Sequence, residues 1–138
     1  MTVTYPFVSI DGEFSPRVPI YVINPLTGKY VKLNALIDSG AMRCNMPAQM
    51  AKDLGYNLNS TPTAMTNTVE SNSVDTWVNK VTIHLLDPLG QKTIFISSLV
   101  DVNCINNEIP FILGDNFFSI FKITLDYPNK TVTFDWKQ

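Results

Sequence analysis

The chain has 138 residues, of which 45% are hydrophobic and 16% are charged, and its net charge is −2. This composition predicts one packed domain over residues 1–138 rather than a disordered segment. The slight negative charge offers no basic face for phosphates, which argues against nucleic acid as a partner. No apolar run reaches the roughly 20 residues of a membrane-spanning helix, and residues 1–6 lack the pattern of a signal peptide, so we expect no membrane partner.

Apolar residues along the chain mostly follow the patterns of β-strands. Strands are predicted over residues 18–22 and 30–37, joined by a turn whose proline and glycine suit a hairpin. A short helix is predicted from Met46-Pro47 to Leu54, because proline fits a first helical turn and Gly55 fits the residue after the last one. The polar stretch from Asn57 to Asn72 predicts a loop followed by the first arm of a hairpin.

The second half of the chain also consists mainly of predicted strands. Strands are predicted over residues 77–85 and 93–100, followed by a loop at 103–108 and a buried strand at 111–113. A short helix at 115–121 and a closing hairpin of residues 122–127 and 131–136 complete the predicted elements. The fold class is therefore predicted to be all-β, mainly strands with one or two short helices.

The chain has few candidates for nucleophilic or metal chemistry. Cys44 and Cys104 are too few and too distant in sequence for a disulfide scaffold or a zinc site, so we expect a reduced, cytoplasmic setting with no metal and no cofactor. His84 is the only histidine. It occupies the polar side of an alternating strand, and no Gly-x-Ser-x-Gly turn or cysteine-peptidase signature accompanies it, which disfavours a serine or cysteine peptidase.

Two apolar segments end in motifs of small and acidic residues. An Ala-Leu-Ile run leads into the first motif. A phenylalanine precedes the second motif, which consists of two apolar residues and a glycine. The motif residues are Asp38, Ser39, Gly40 and Ala41, and then Ile112, Leu113 and Gly114. Asp-Ser-Gly alone also occurs in ordinary turns where Asp caps backbone amides, so the interpretation depends on finding both motifs together.

This order of motifs, over residues 18–134, resembles the retropepsin-like family of single-lobe, pepsin-related aspartic peptidases. The resemblance implies the closed β-barrel of the acid protease fold and an aspartic endopeptidase with Asp38 as the catalytic residue. The chemistry needs two carboxylates and the chain has one copy of the motif, so a homodimer with one Asp38 per protomer is implied. The family pattern assigns support of the active-site loop to the other motif residues, Ser39, Gly40, Ala41, Ile112, Leu113 and Gly114.

The implied substrate is a peptide or protein, covered by a flap that each protomer contributes from residues 64–78. The expected flap tip comprises Val69, Glu70, Ser71, Asn72 and Ser73. Flaps are often rich in glycine and this segment has none, although asparagine and serine tolerate turn geometry. An alternative therefore stays open: a catalytically weak or inactive module that binds a peptide or protein on the same fold. A further alternative is a fold that mainly mediates assembly.

Overall fold

The computed structural model describes residues 1–67 and 73–138. Within these residues the strands are β1 (Thr2–Pro6), β2 (Val8–Ile10), β3 (Glu13–Ser15), β4 (Arg17–Ile23), β5 (Tyr30–Ile37), β6 (Cys44–Pro47), β7 (Ala64–Asn67), β8 (Ser73–Leu86), β9 (Thr93–Ile105), β10 (Ile112–Leu113), β11 (Lys122–Asp126) and β12 (Thr131–Asp135). The helices are α1 (Ala48–Asp53) and α2 (Asp115–Phe118). This content confirms the all-β class with short helices.

The largest sheet closes on itself as a six-stranded barrel. Its strands are hydrogen-bonded in the order β4-β5-β10-β6-β9-β8, and β8 pairs back onto β4. The β5–β10 and β6–β9 pairings are parallel, whereas the remaining neighbours in the ring are antiparallel. The closed barrel implied by the resemblance is therefore confirmed.

Alternate side chains of the barrel strands fill its interior. In β4, Val18, Ile20 and Val22 are fully buried, while the residues between them are partly exposed. In β8, Val81 and Ile83 are fully buried in the same core. This period of two is what a strand with one face on the core requires, and it is the signal from which the strands were predicted.

A three-stranded sheet of β1, β12 and β11 packs against the barrel. β12 is the central strand, and Phe134 and Trp136 at its end are buried in the same apolar cluster as the barrel residues. The hydroxyl of Tyr5 donates to the carbonyl of Leu86 at 2.6 Å, which ties β1 to the end of β8. The closing hairpin therefore covers the core of its own lobe.

The prediction placed a loop at residues 103–108, but β9 continues through its first part to Ile105. The strand persists because it is paired on both sides, with β8 and with β6, and because Val102 and Cys104 are fully buried. The strands β1, β2 and β3 were not predicted. Their alternation is short and interrupted by proline and glycine, and they are paired within a hairpin or with a distant part of the chain.

The helices are shorter than predicted. α1 begins at Ala48 with Pro47 as its N-cap, and Gly55 follows its end with a φ of +91°, a conformation that suits glycine. α2 ends at Phe118 rather than at Phe121, because the chain turns there and packs the Phe121 ring against the core aromatics. Within the described residues, neither helix is long or apolar enough to span a membrane.

Candidate active site

The turn that follows β5 presents Asp38 at the protein surface. The Asp38 side chain is partly exposed, and Ser39 and Gly40 are exposed. The Gly40 amide donates to Oδ1 of Asp38 at 2.9 Å, and the Ala41 amide donates to the Asp38 carbonyl at 3.2 Å. The first bond orients the carboxylate and the second closes the turn, while Oδ2 accepts no hydrogen bond from the described residues and remains available to another molecule.

Strand β10 supports the turn from the neighbouring position in the barrel. The Asp38 amide donates to the Leu113 carbonyl at 3.1 Å, and the Leu36 amide donates to the Phe111 carbonyl at 2.9 Å. Leu113 is fully buried and Ile112 is partly buried. The two motifs, although far apart in sequence, are therefore adjacent, and the second one positions the carboxylate of the first.

Gly114 lies where two backbone segments approach each other closely. A Cβ at this position would lie 2.4 Å from the Arg43 carbonyl oxygen and 2.7 Å from the Ala41 carbonyl oxygen. The crossing therefore requires glycine. At Gly40, by contrast, a Cβ would meet only Oδ1 of Asp38, at 3.1 Å.

Asn116, which the sequence analysis did not single out, links three segments around the turn. Its side-chain oxygen accepts from the Cys44 amide at 2.9 Å, and its side-chain nitrogen donates to the Asp101 carbonyl at 2.7 Å. Its backbone amide donates to the Met42 carbonyl at 3.2 Å. No sequence signal identifies this role, because the partners lie on β6, on β9 and in the turn, and only the fold brings them together.

Solved structures with a similar overall fold include several retropepsin-like proteins. A retropepsin-like aspartic protease from Rickettsia conorii has a TM-score of 0.62 at 17% identity, over 99% of this chain and 91% of its own. The EIAV protease, in complex with the inhibitor HBY-793, has a TM-score of 0.56 at 19% identity, over 81% of this chain and 92% of its own. The retroviral protease-like domain of Ddi1 from Leishmania major has a TM-score of 0.56 at 15% identity, over 88% of each chain.

The chain has the retropepsin-like fold. At these identities the likeness concerns the fold alone. A scan against protein-family models and a search of curated proteins each found no match.

An apolar groove of about 360 Å³ opens beside the active-site turn of this retropepsin-like lobe. The groove is lined by Ile37, Ser39, Asp115, Phe118, Phe121, Ile123 and Leu125. We call it the Ser39 groove. The side chains of Phe118, Ile123 and Leu125 are only partly buried within the chain, although they pack against the core. Because Ser39 directly follows Asp38, whatever covers this groove also comes close to the carboxylate.

The cysteines and the histidine lie apart from this chemistry. Cys44 is fully buried, and burial raises the pKa of its thiol to about 11, so the thiol is protonated and unreactive at neutral pH. Burial also raises the pKa of Cys104, and both thiols are free. His84 lies on the outer face of β8 with its ring against Tyr21 and its Nδ1 at 3.2 Å from Oγ1 of Thr93.

The described residues also contain no cluster of metal ligands around Asp38. Over residues 1–67 and 73–138, no group of three His, Cys, Asp or Glu side chains could hold a metal ion.

The predicted flap tip falls mainly outside the described residues. Val69, Glu70, Ser71 and Asn72 are not among them, and Ser73 is the first residue of β8. On either side of this segment β7 and β8 pair antiparallel, with Asn67 opposite Ser73. The strand pairing thus provides the two arms of a hairpin at the predicted position.

Proposed function

We propose that this chain is an aspartic endopeptidase that acts as a homodimer, with Asp38 of each protomer forming the catalytic dyad. The observation that carries the proposal is the Asp38 turn. Its carboxylate is at the surface, oriented by the Gly40 amide through Oδ1, supported by Leu113 through the backbone, and unbonded at Oδ2 by any described residue. The retropepsin-like fold supports this interpretation of the turn.

The proposed dimer supplies the second carboxylate by symmetry. A two-fold axis beside Asp38 places the same residue of each protomer opposite the other. Two carboxyl groups about 3 Å apart share one proton, as in pepsin, and titrate as a pair. The ionised carboxylate takes a proton from water, whose oxygen attacks the carbonyl carbon of the peptide bond. The protonated carboxyl donates its proton to the carbonyl oxygen. Collapse of the tetrahedral intermediate, with proton transfer to the leaving nitrogen, separates the two peptides.

The Ser39 groove supports a second copy of the chain as the partner. Its walls are largely apolar and adjoin Asp38, so one contact surface would both bury the groove and bring the two carboxylates together. Removing apolar surface from water contributes about 25 cal/mol per Å², which favours such an interface. In this arrangement the Ser39 hydroxyl of each protomer hydrogen-bonds to the active-site turn of the other and fixes the dyad.

The direct test compares the wild-type protein with Asp38→Asn on an unbiased peptide mixture between about pH 4 and 7, the range of a shared-proton dyad. At matched high protein concentration we expect cleavage by the wild type and a loss of at least about 10²-fold in the variant. Asp53→Asn, which removes an exposed carboxylate of α1, is the matched control and should cleave normally. Equal activity of the wild type and Asp38→Asn would refute the mechanism.

A peptide-binding or protein-binding module without efficient catalysis is the second candidate function. It is favoured by the absence of glycine from residues 64–78, the segment expected to open and close over a substrate. On this alternative the wild type binds extended peptides but leaves them intact, and Asp38→Asn binds them with the same Kd. Cleavage products in the wild-type reaction alone would decide for the peptidase.

A further inference from the structure

A second cleft, of about 350 Å³, lies on the outer face of the barrel between β4, β5, the N-terminal strands and the turn after β8. Its lining includes Tyr5, Arg17, Pro19, Lys32, Asn34 and Gly90. We call it the Arg17 cleft. It shares no lining residue with the Ser39 groove and is therefore a separate pocket.

Two cationic side chains line the Arg17 cleft, and neither forms an ion pair within 4 Å with a described residue. Among the described residues, the ion pair within 4 Å is that of Lys80 with Asp101, on β8 and β9. The Nε of Arg17 donates to Oγ of Ser15 at 3.0 Å, and its terminal guanidinium nitrogens donate to no described residue. Arg17 thus keeps the forked end of its side chain free for a ligand.

Lys32 is held in place by the turn after β8. Its Nζ donates to the Gly90 carbonyl at 2.6 Å, which uses one of its three protons. The turn packs directly on this side chain, because a Cβ on Gly90 would lie 3.5 Å from Nζ of Lys32 and 3.7 Å from Cβ of Pro19. The ammonium group is therefore positioned beside the cleft, although the Lys32 residue as a whole is exposed.

The acidic residue of that turn, Asp87, hydrogen-bonds within the turn, and its charge also acts on Tyr5 in the wall of the cleft. Oδ1 of Asp87 accepts from the Gln91 amide at 2.8 Å, and this bond holds the pKa of the carboxyl below its ordinary value. On the barrel side, Asn34 of β5 lies opposite Pro19 of β4. Arg17 precedes Pro19 by two residues on β4, and Lys32 precedes Asn34 by two residues on β5. A guanidinium, an amide and an ammonium therefore line one concave surface.

We propose that the Arg17 cleft binds an oxyanion group, a phosphate or a carboxylate. The Arg17 fork matches the two oxygens of such a group in a bidentate arrangement, and Lys32 adds a point charge. The Asn34 side chain supplies a further donor, and the proline and tyrosine walls exclude part of the solvent, which strengthens these interactions. The oxyanion belongs to a small molecule or to an acidic residue of a polypeptide, and the two sources share this chemistry.

The test is a nuclear magnetic resonance titration of the full chain at constant ionic strength. One arm uses inorganic phosphate, and the other uses an acetylated and amidated Asp-Glu dipeptide. We expect saturable shifts at the Nε of Arg17 and at the Gly90 amide in at least one arm. Saturation by phosphate alone points to a small ligand, and saturation by the dipeptide points to a polypeptide. Shifts that rise linearly in both arms overturn the proposal.

Substitutions separate this site from general surface charge. Arg17→Gln should raise the Kd at least tenfold. Arg17→Lys keeps the charge but loses the forked guanidinium, so its Kd should lie between those of Arg17→Gln and the wild type. Lys80→Gln, which removes a cation from another face, should bind as the wild type does. Equal Kd values for Arg17→Gln and the wild type refute the site. Because ligand binding also stabilises the folded state, ligand at ten times Kd should raise the folded-to-unfolded ratio about elevenfold.

Discussion

The backbone amide of Asp38 donates to the carbonyl oxygen of Leu113 at 3.1 Å. This bond joins the two sequence motifs and makes the position of the carboxylate depend on β10. β10 has only two residues, and it is held between β5 on one side and β6 on the other. Changes to the segments that pack on β10 are therefore expected to affect both the stability of the fold and the orientation of Asp38.

Gly114→Ala tests the close crossing behind the Asp38 turn. The added methyl group would lie 2.4 Å from the Arg43 carbonyl oxygen, and backbone cannot move aside as a flexible side chain can. We expect the free energy of unfolding to fall by about 1–3 kcal/mol or more, measured by urea denaturation followed through tryptophan fluorescence. Gly40→Ala is the matched control. Its added methyl group would meet only Oδ1 of Asp38, so we expect the carboxylate to shift and the free energy of unfolding to change little. A Gly114→Ala midpoint equal to that of the wild type would contradict the crossing.

Asn116→Ala tests the link between α2, β6 and β9. The substitution removes the acceptor of the Cys44 amide and the donor to the Asp101 carbonyl. Because the Cys44 residue is buried, its amide would lose its partner without gaining water, at a cost of about 1–3 kcal/mol. Asn129→Ala removes an exposed asparagine from the Asp126 turn and serves as the control. If the two variants unfold at the same urea concentration, Asn116 has no special structural role.

Leu125→Lys tests the Ser39 groove as the dimer surface. A lysine in the apolar wall would place a charge in the proposed interface while leaving it solvated in the monomer. We expect a shift from dimer to monomer in sedimentation equilibrium, together with a loss of peptide cleavage, while circular dichroism shows a folded chain. Leu26→Lys, at a side chain that is 91% exposed, should leave both properties unchanged. A fully dimeric Leu125→Lys protein would place the interface elsewhere.

Much of the barrel could be predicted because its strands carry their own signal. The buried alternation in β4 and β8 follows from residues close in sequence, and so do the turn at Gly28 and the helix end at Gly55. The length of β9 could not be predicted in the same way. Its last residues do alternate between polar and apolar as in a strand, and they stay extended because β6 and β8 pair with them and Val102 and Cys104 are buried.

The candidate site likewise contains residues that local sequence motifs identify and residues that only the fold brings together. Asp38 and Gly114 were identified from motifs whose residue types are set by chemistry and by close packing, and the structure brings the two motifs together. Asn116 was missed because an asparagine after a Gly-Asp pair has many ordinary roles. The apolar groove was missed because Ile37 and Leu125 lie on strands of different sheets, and only the packing of those sheets places both beside Ser39.

The stability of the fold at alkaline pH should depend on Cys44. Burial raises the pKa of this thiol from 9.0 to about 11, so between these pH values the unfolded chain has released a proton that the folded chain still holds. The free energy of unfolding must therefore fall as pH rises from about 9 to 11, by about 2–3 kcal/mol from this group. Cys44→Ala should flatten that decline in urea denaturation measured at a series of pH values. The contributions of Cys104 and Tyr5, whose pKa values are also raised by burial, remain in both proteins. Parallel curves for the two proteins would show that Cys44 ionises as easily in the folded chain as in the unfolded one.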